Sequence, residues 1–424
     1  MAISFQQFGR FTVVSVAIFF AASFALHPEP AVPGGWYRHF SGTLTAENDS
    51  AKPAPPLKIH IDLMRSARVA GDEGGYEWSA FYYYDTVGVP IPLHVSEDDP
   101  KKFPNALRML EQDENERPVA ELVVQVRSKV SGDARAEYVL SGAWTAASGK
   151  KKYRLEAAED FSRSARFNLF EARSKETPAG PAVVNKPATA SVEYYEADFA
   201  LGYLQIHRPP RVAAPGGASA TYDRLEQTIG RAYFQKHYRP GDPAEAARGM
   251  QREYYTAFRA EAREARELKR ESYFWEWMLG SSIVWNDRDV LAYEISTYEF
   301  RGGAHGIGNL QYVVLDLQTG ARLTLDSILK PGVKKKTLGA RIEAAYAKRS
   351  GVAFVPGQNM QTLGLLVDRI PVTENFFVSP AGITFVYNVY EIQSYVEGPA
   401  AILIPFSDLD DLLKPGTAID RLRK

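Results

Sequence analysis

Residues 76–95 read YEWSAFYYYDTVGVPIPLHV. Tyr, Phe and Trp suit a half-buried pleated surface. Two such runs flank a turn at Asp85–Gly88, the mark of an antiparallel hairpin. The pattern repeats downstream. AELVVQVRSK (Ala120–Lys129) and AEYVLSGAWT (Ala136–Thr145) pair around Ser131–Gly132–Asp133, and KKYRLEAA follows a turn at Gly149. Short strands at this spacing predict an antiparallel sheet or barrel over residues 36–175. KPAPP at Lys52–Pro56 belongs to a loop, because proline cannot donate to a β-ladder.

Working toward the N-terminus, Phe11–Leu26 read FTVVSVAIFFAASFAL after the single cation Arg10. A positive start, a short apolar run and small residues at Ser23 and Ala25 predict a signal peptide or N-terminal anchor over residues 1–25. The run falls short of the ~20 residues that span a bilayer comfortably. The Pro/Gly-rich residues 26–35 form a spacer. The expected location is therefore the periplasm or cell surface. A membrane contact is expected only through that segment, if it is retained.

Composition narrows the function classes. The 424 residues are 45% apolar and 24% charged, which suits a globular chain with a real core. Fifty Lys and Arg against 51 Asp and Glu give a net charge of -1, which argues against a basic nucleic-acid binder. No cysteine is present, so disulfides, thiolate zinc sites and Cys nucleophiles are excluded.

Toward the C-terminus, TPAGPAVVNKPATA (Thr177–Ala190) is aperiodic and proline-rich, and residues 176–190 read as a linker. Residues 191–424 alternate strands and helices. Met250, Tyr254, Phe258, Ala262, Ala265 and Leu268 recur at helical spacing behind Pro243, which suits a helix start. SIVWND and RDVLAYEISTYEF flank a turn at Asn286–Asp289. YVVLDLQTGARLTLDSIL (Tyr312–Leu329) reads as a hairpin turning at Thr319–Gly320, and NFFVSPAGITFVYNVYEI as another turning at Pro380–Gly382. The expected class is α+β: an N-terminal antiparallel β domain, then an α+β domain of antiparallel sheet with packed helices.

Three pieces of the second half carry a family likeness: FRGGAHG (Phe300–Gly306), LDLQTGARLTLDSIL (Leu315–Leu329) and FVYNVYEIQSYVEGPAAILIPFSDLDDLL (Phe385–Leu413). In order and spacing they resemble the C-terminal domain shared by RsiV-type anti-sigma factors and PdaC-type peptidoglycan deacetylases. Residues 191–290 look like the PdaC-type segment that precedes it, and residues 291–424 like the C-terminal segment. The resemblance implies an extracytoplasmic binding role, with lysozyme or peptidoglycan as partner. Ten residues precede the apolar segment and the chain ends at Lys424, so neither anti-sigma regulation nor deacetylation is expected to carry over.

The residues able to do chemistry gather in two motifs. His305 sits among Gly302 and Gly303 beside Arg301, where backbone can approach a ligand closely. Its imidazole could act as acid, base or donor, or could bond within the fold to Glu391 or Tyr395. Tyr390, Glu391, Tyr395 and Glu397 form the second group, either an acid/base pair or a polar network that fixes a hairpin. Trp275, Trp277 and Trp285 read as core packing or as exposed anchors. No HExxH, His-x-His or G-x-S-x-G occurs, so no metal and no cofactor are expected. The expected activity is an exported envelope binding protein. The alternatives are a glycan hydrolase using His305 and Glu391, and an envelope scaffold.

Overall fold

The computed structural model describes residues 35–47, 54–67, 76–96, 106–113, 115–130, 136–177, 194–207, 217–268, 272–333 and 335–423. The expected signal segment and most of the expected linker lie outside these residues. Among the described residues no helix is long and apolar enough to cross a membrane.

Eight strands come first: β1 (Trp36–Ala46), β2 (Leu57–Ala67), β3 (Tyr76–Tyr84), β4 (Ile91–Ser96), β5 (Ala106–Gln112), β6 (Pro118–Val130), β7 (Ala136–Ala146) and β8 (Lys152–Glu159). Each pairs antiparallel with the next, and β8 returns to β1 with Leu44 opposite Leu155. The sheet is thus a closed barrel, and closure removes its exposed edges. Alternate residues fill the interior, among them the fully buried Phe40, Ile61, Leu63, Met109, Leu122 and Leu155. Each large apolar side chain buried this way contributes about 1.5–3 kcal/mol. Two glycines let the strands coil tightly. A Cβ on Gly42 would lie 2.2 Å from the Glu156 carbonyl, and one on Gly142 would lie 2.0 Å from that of Val123. Toward one mouth Arg38 stacks 5.1 Å from the Trp36 ring and pairs with Glu159 at 2.7 Å, so its charge is held inside by a partner and a ring face.

β9 (Phe167–Glu176) leaves the barrel after touching the start of β1, then pairs along its length with β10 (Tyr194–Ile206). Two helices follow, α1 (Gly217–Phe234) and α2 (Pro243–Glu267), before β11 (Ser272–Asp287), β12 (Val290–Phe300) and β13 (Ile307–Asp316). β10 and β11 run parallel, so the chain must cross over, and α1 and α2 make that crossing. The second sheet is ordered β13-β12-β11-β10-β9 and is continuous with the barrel through β9 and β1. α2 starts as its sequence suggests: Pro243 occupies its first turn and the Asp242 side chain accepts from the Glu245 amide at 2.8 Å. Tyr254, Phe258, Ala262 and Ala265 bury their faces against the sheet, whereas Leu268, expected on that stripe, is exposed beyond the helix end.

The opposite face of the second sheet is covered by α3 (Leu325–Ile328), α4 (Lys335–Arg349), α5 (Ile419–Leu422) and a small sheet of β14 (Phe376–Ser379), β15 (Gly382–Tyr387) and β16 (Ala400–Pro405). Val290, Ala292 and Val314 meet Ile383, Phe385 and Ile402 there. The expected second strand after Gly320 is only an isolated bridge, Leu315 to Arg322; Thr324 then caps α3.

The α+β class is overturned, although α1 and α2 do pack on the second sheet. Among the described residues the molecule is mostly antiparallel β, 45% strand and 24% helix, with a closed eight-stranded barrel. The helical stripe of α2 is a local periodic signal that points to helix packing. Strand closure, in contrast, depends on pairing between distant segments, which no local window contains.

Candidate functional site

A groove of about 520 Å³ lies on the α1/α2 side of the second sheet, near the free end of the β12–β13 hairpin. Tyr233 and Met250 wall it on one side; Trp277, Thr297, Asn309 and Gln311 floor it from β11, β12 and β13. Its rim is the loop 301–306, which brings Arg301, Gly302 and His305 together. Gly302 and Gly303 carry φ of 91° and 97°, and a Cβ at either would meet open space. They serve conformation rather than close ligand approach.

His305 is exposed, and its Nδ1 lies 3.0 Å from the Gly306 carbonyl. A carbonyl only accepts, so Nδ1 carries the proton and Nε2 remains as acceptor in the neutral ring. The Tyr395 hydroxyl donates to the same carbonyl at 3.1 Å, and its ring stacks on His305 with centroids 4.1 Å apart. Tyr390 continues the row, 5.8 Å from Tyr395. Tyr390 is 53% exposed and holds a left-handed φ of 68°, a conformation that costs a non-glycine residue about 1–2 kcal/mol. Strain of this kind gathers at ligand sites. Arg301 pairs with Glu299 at 2.5 Å and lies 4.5 Å over the Trp275 ring.

Glu391 does not reach His305. Its Oε2 accepts from the Asn388 amide at 3.0 Å. Glu397 likewise caps its own short turn, accepting from the Ser394 amide at 2.9 Å. Both lie in an exposed irregular loop after β15, not on one face of a strand and not in a buried network. The structure therefore joins Arg301, His305, Tyr395 and Tyr390, and leaves Glu391 apart. Of the three tryptophans, Trp275 and Trp285 are core, while Trp277 stacks on Phe199 at 4.7 Å and lines the groove.

A second polar cluster carries no motif in the sequence. It lies where the outer wall of the barrel meets the β11–β12 turn. His39 Nδ1 is 3.1 Å from Asp62 Oδ1, and the Tyr37 hydroxyl donates to the same oxygen. His60 Nε2 is 3.2 Å from Asp85, and its Nδ1 is 3.9 Å from Asp287 Oδ2. The Tyr83 hydroxyl donates to Asp287 at 3.1 Å and its ring stacks on His60 at 4.8 Å. Asn286 accepts from the Ala165 amide at 2.8 Å and donates to its carbonyl at 2.6 Å. Burial works against charge on His39, but Asp62, with Asp287 and Asp160, outweighs it and holds the imidazole pKa above its usual value. Burial, reinforced by Asp62, raises the Tyr37 and Tyr83 hydroxyls well above theirs. In sequence His60 and Asp62 look like the solvent face of an amphipathic strand. Asp62 is buried and His60 half-buried because a distant part of the chain docks on them.

A closed β-barrel continuous with a helix-covered second sheet, whose groove is rimmed by the loop bearing Arg301, Gly302 and His305, defines the architecture. Residues 326–407 carry a domain described as "Protein of unknown function (DUF3298)", which spans α3 to β16 and includes the Tyr390–Tyr395 loop but not His305. Among solved structures, a DUF3298 family member from Bacteroides fragilis is 22% identical, covers 62% of this chain and 99% of its own, and has a TM-score of 0.49. A DUF3298 family protein from Pseudomonas aeruginosa is 16% identical, covers 59% and 95%, and has a TM-score of 0.36. No curated protein matches this chain.

Proposed function

We propose that this chain is an exported cell-envelope binding protein that holds a wall glycan strand along the groove at His305. The observation that carries the reading is the ring row His305–Tyr395–Tyr390, which meets the rim of a groove of about 520 Å³ at His305. Ring faces offer flat apolar surface at low entropic cost, and Asn309, Gln311 and Arg301 add hydrogen-bonding groups beside them. Export rests on the apolar segment 11–26, and the envelope ligand on the resemblance of FRGGAHG and its partner motifs to RsiV-type and PdaC-type domains. Catalysis has weaker support, because His305 and Glu391 are each engaged with separate backbone groups.

Titration with a peptidoglycan tetrasaccharide should change the emission of Trp277 saturably. Tyr390→Ala should weaken binding about tenfold or more, as loss of an aromatic anchor does. A flat titration at millimolar sugar would refute glycan binding, and a complex with lysozyme on gel filtration would assign the groove to a protein partner instead.

A further inference from the structure

The cluster at the barrel junction has the make-up of a cation site, and it is separate from the groove. His39 and His60 stand on adjacent strands, Asp287 reaches them from the end of β11, and one ligand atom from each lies within 4.8 Å of the other two. Two imidazoles with one carboxylate suit zinc and its neighbours in the first transition row.

Two further observations point to a cation. Each imidazole is braced from behind by a carboxylate, Asp62 on His39 at 3.1 Å and Asp85 on His60 at 3.2 Å. That outer-shell arrangement orients metal-bound histidines and raises their basicity. A buried carboxylate oxygen beside the imidazoles is also left without a partner among the described residues. Asp62 is 2% exposed and Asp287 8%, and Asp62 Oδ2 makes no hydrogen bond among the described residues. Buried carboxylate charge is costly without compensation.

We propose that His39, His60 and Asp287 bind a single divalent transition-metal ion of the zinc class, which clamps the barrel to the second sheet. A tetrahedral ion at about 2.0–2.1 Å from nitrogen needs donors roughly 3.3 Å apart. The three side chains therefore draw together by up to about 1.5 Å on binding. Ser41 Oγ, now 3.0 Å from His60 Nδ1, yields that nitrogen to the ion. The donors come from distant parts of the sequence, and their surroundings are closed by the buried Tyr37 and Tyr83. The ion's role is thus architectural: it adds a cross-link present only in the folded chain.

The test uses the untagged full chain after chelator treatment, with Co²⁺ and Zn²⁺ as probes. One equivalent of Co²⁺ should give visible d–d absorption that Zn²⁺ abolishes, and Zn²⁺ should raise the melting temperature by several degrees. His60→Gln and Asp287→Asn should lose both effects, and His305→Ala should keep both. X-ray absorption of the zinc-loaded native chain, which depends on no variant, should report two imidazole ligands. The proposal fails if the native chain gives no d–d bands, if both junction variants keep them, or if fewer than two imidazoles surround the zinc.

Discussion

β11 and β12 form one long hairpin, and its two ends carry opposite kinds of polar site. At the turn, Arg288 and Asp289 hold left-handed φ of 54° and 58°, the twist that a tight two-residue hairpin requires. Arg288 donates to the Leu422 carbonyl at 2.9 Å and to that of Asp85 at 3.0 Å. Asn286 and Asp287 are buried among barrel side chains. At the other end, Arg301 and His305 stand on an exposed glycine loop with the Tyr395 ring stacked on His305. Groups whose partners are all fixed lock one arrangement. Groups with spare donors and free faces can exchange water for a ligand.

Substitutions along this hairpin should separate the two ends. The largest effect is expected from Asn286→Ala, which strands both the amide and the carbonyl of Ala165 in a buried site. The loss should be about 2–4 kcal/mol, read as a lower denaturant midpoint. A loss under about 1 kcal/mol would mean that the junction is looser than its hydrogen bonds suggest.

Midway along β12, burial lifts the Glu294 carboxyl above its usual range, and the Tyr312 hydroxyl bond only partly offsets this. The folded chain therefore holds that proton more tightly than the unfolded chain does. This contribution is complete below the ordinary carboxylate pKa and is lost as pH rises through the higher folded value. Glu294→Gln should remove that loss and gain on the native chain as pH climbs from 4 toward 7 (about three units) in thermal melts. Parallel pH profiles for the two chains would exclude it.

Smaller effects belong to the open end. Tyr390→Asn relieves a left-handed strain and should raise stability by up to about 1 kcal/mol while weakening glycan binding. His305→Ala should move stability by no more than about 0.5 kcal/mol in either direction. If it unfolds the chain, His305 is structural.

The same contrast explains what could be read without coordinates. The turns at Asn286–Asp289 and Pro380–Gly382 and the start of α2 at Pro243 were legible, because each is a local backbone demand met by local residue types. So was the gathering of Arg301 and His305, which are neighbours in the chain. Barrel closure was not, since it depends on Leu44 finding Leu155. The partner of His305 was only half legible: Tyr395 was among the candidates, but the expected link to Glu391 assumed a strand where the chain forms an exposed loop. The junction cluster was hidden most thoroughly. His39, His60 and Asp287 are ordinary polar residues on alternating strands until a docking event buries them together.

β9 belongs to two partners at once, meeting β1 near its start and β10 along its length. A protease that nicked the chain between Glu176 and Tyr194 would therefore not release two free pieces. The fragments would separate on a denaturing gel yet travel together through a sizing column. Expressed alone, the piece ending at Glu176 would present a bare ribbon edge, and it should clump unless the missing half is supplied in trans.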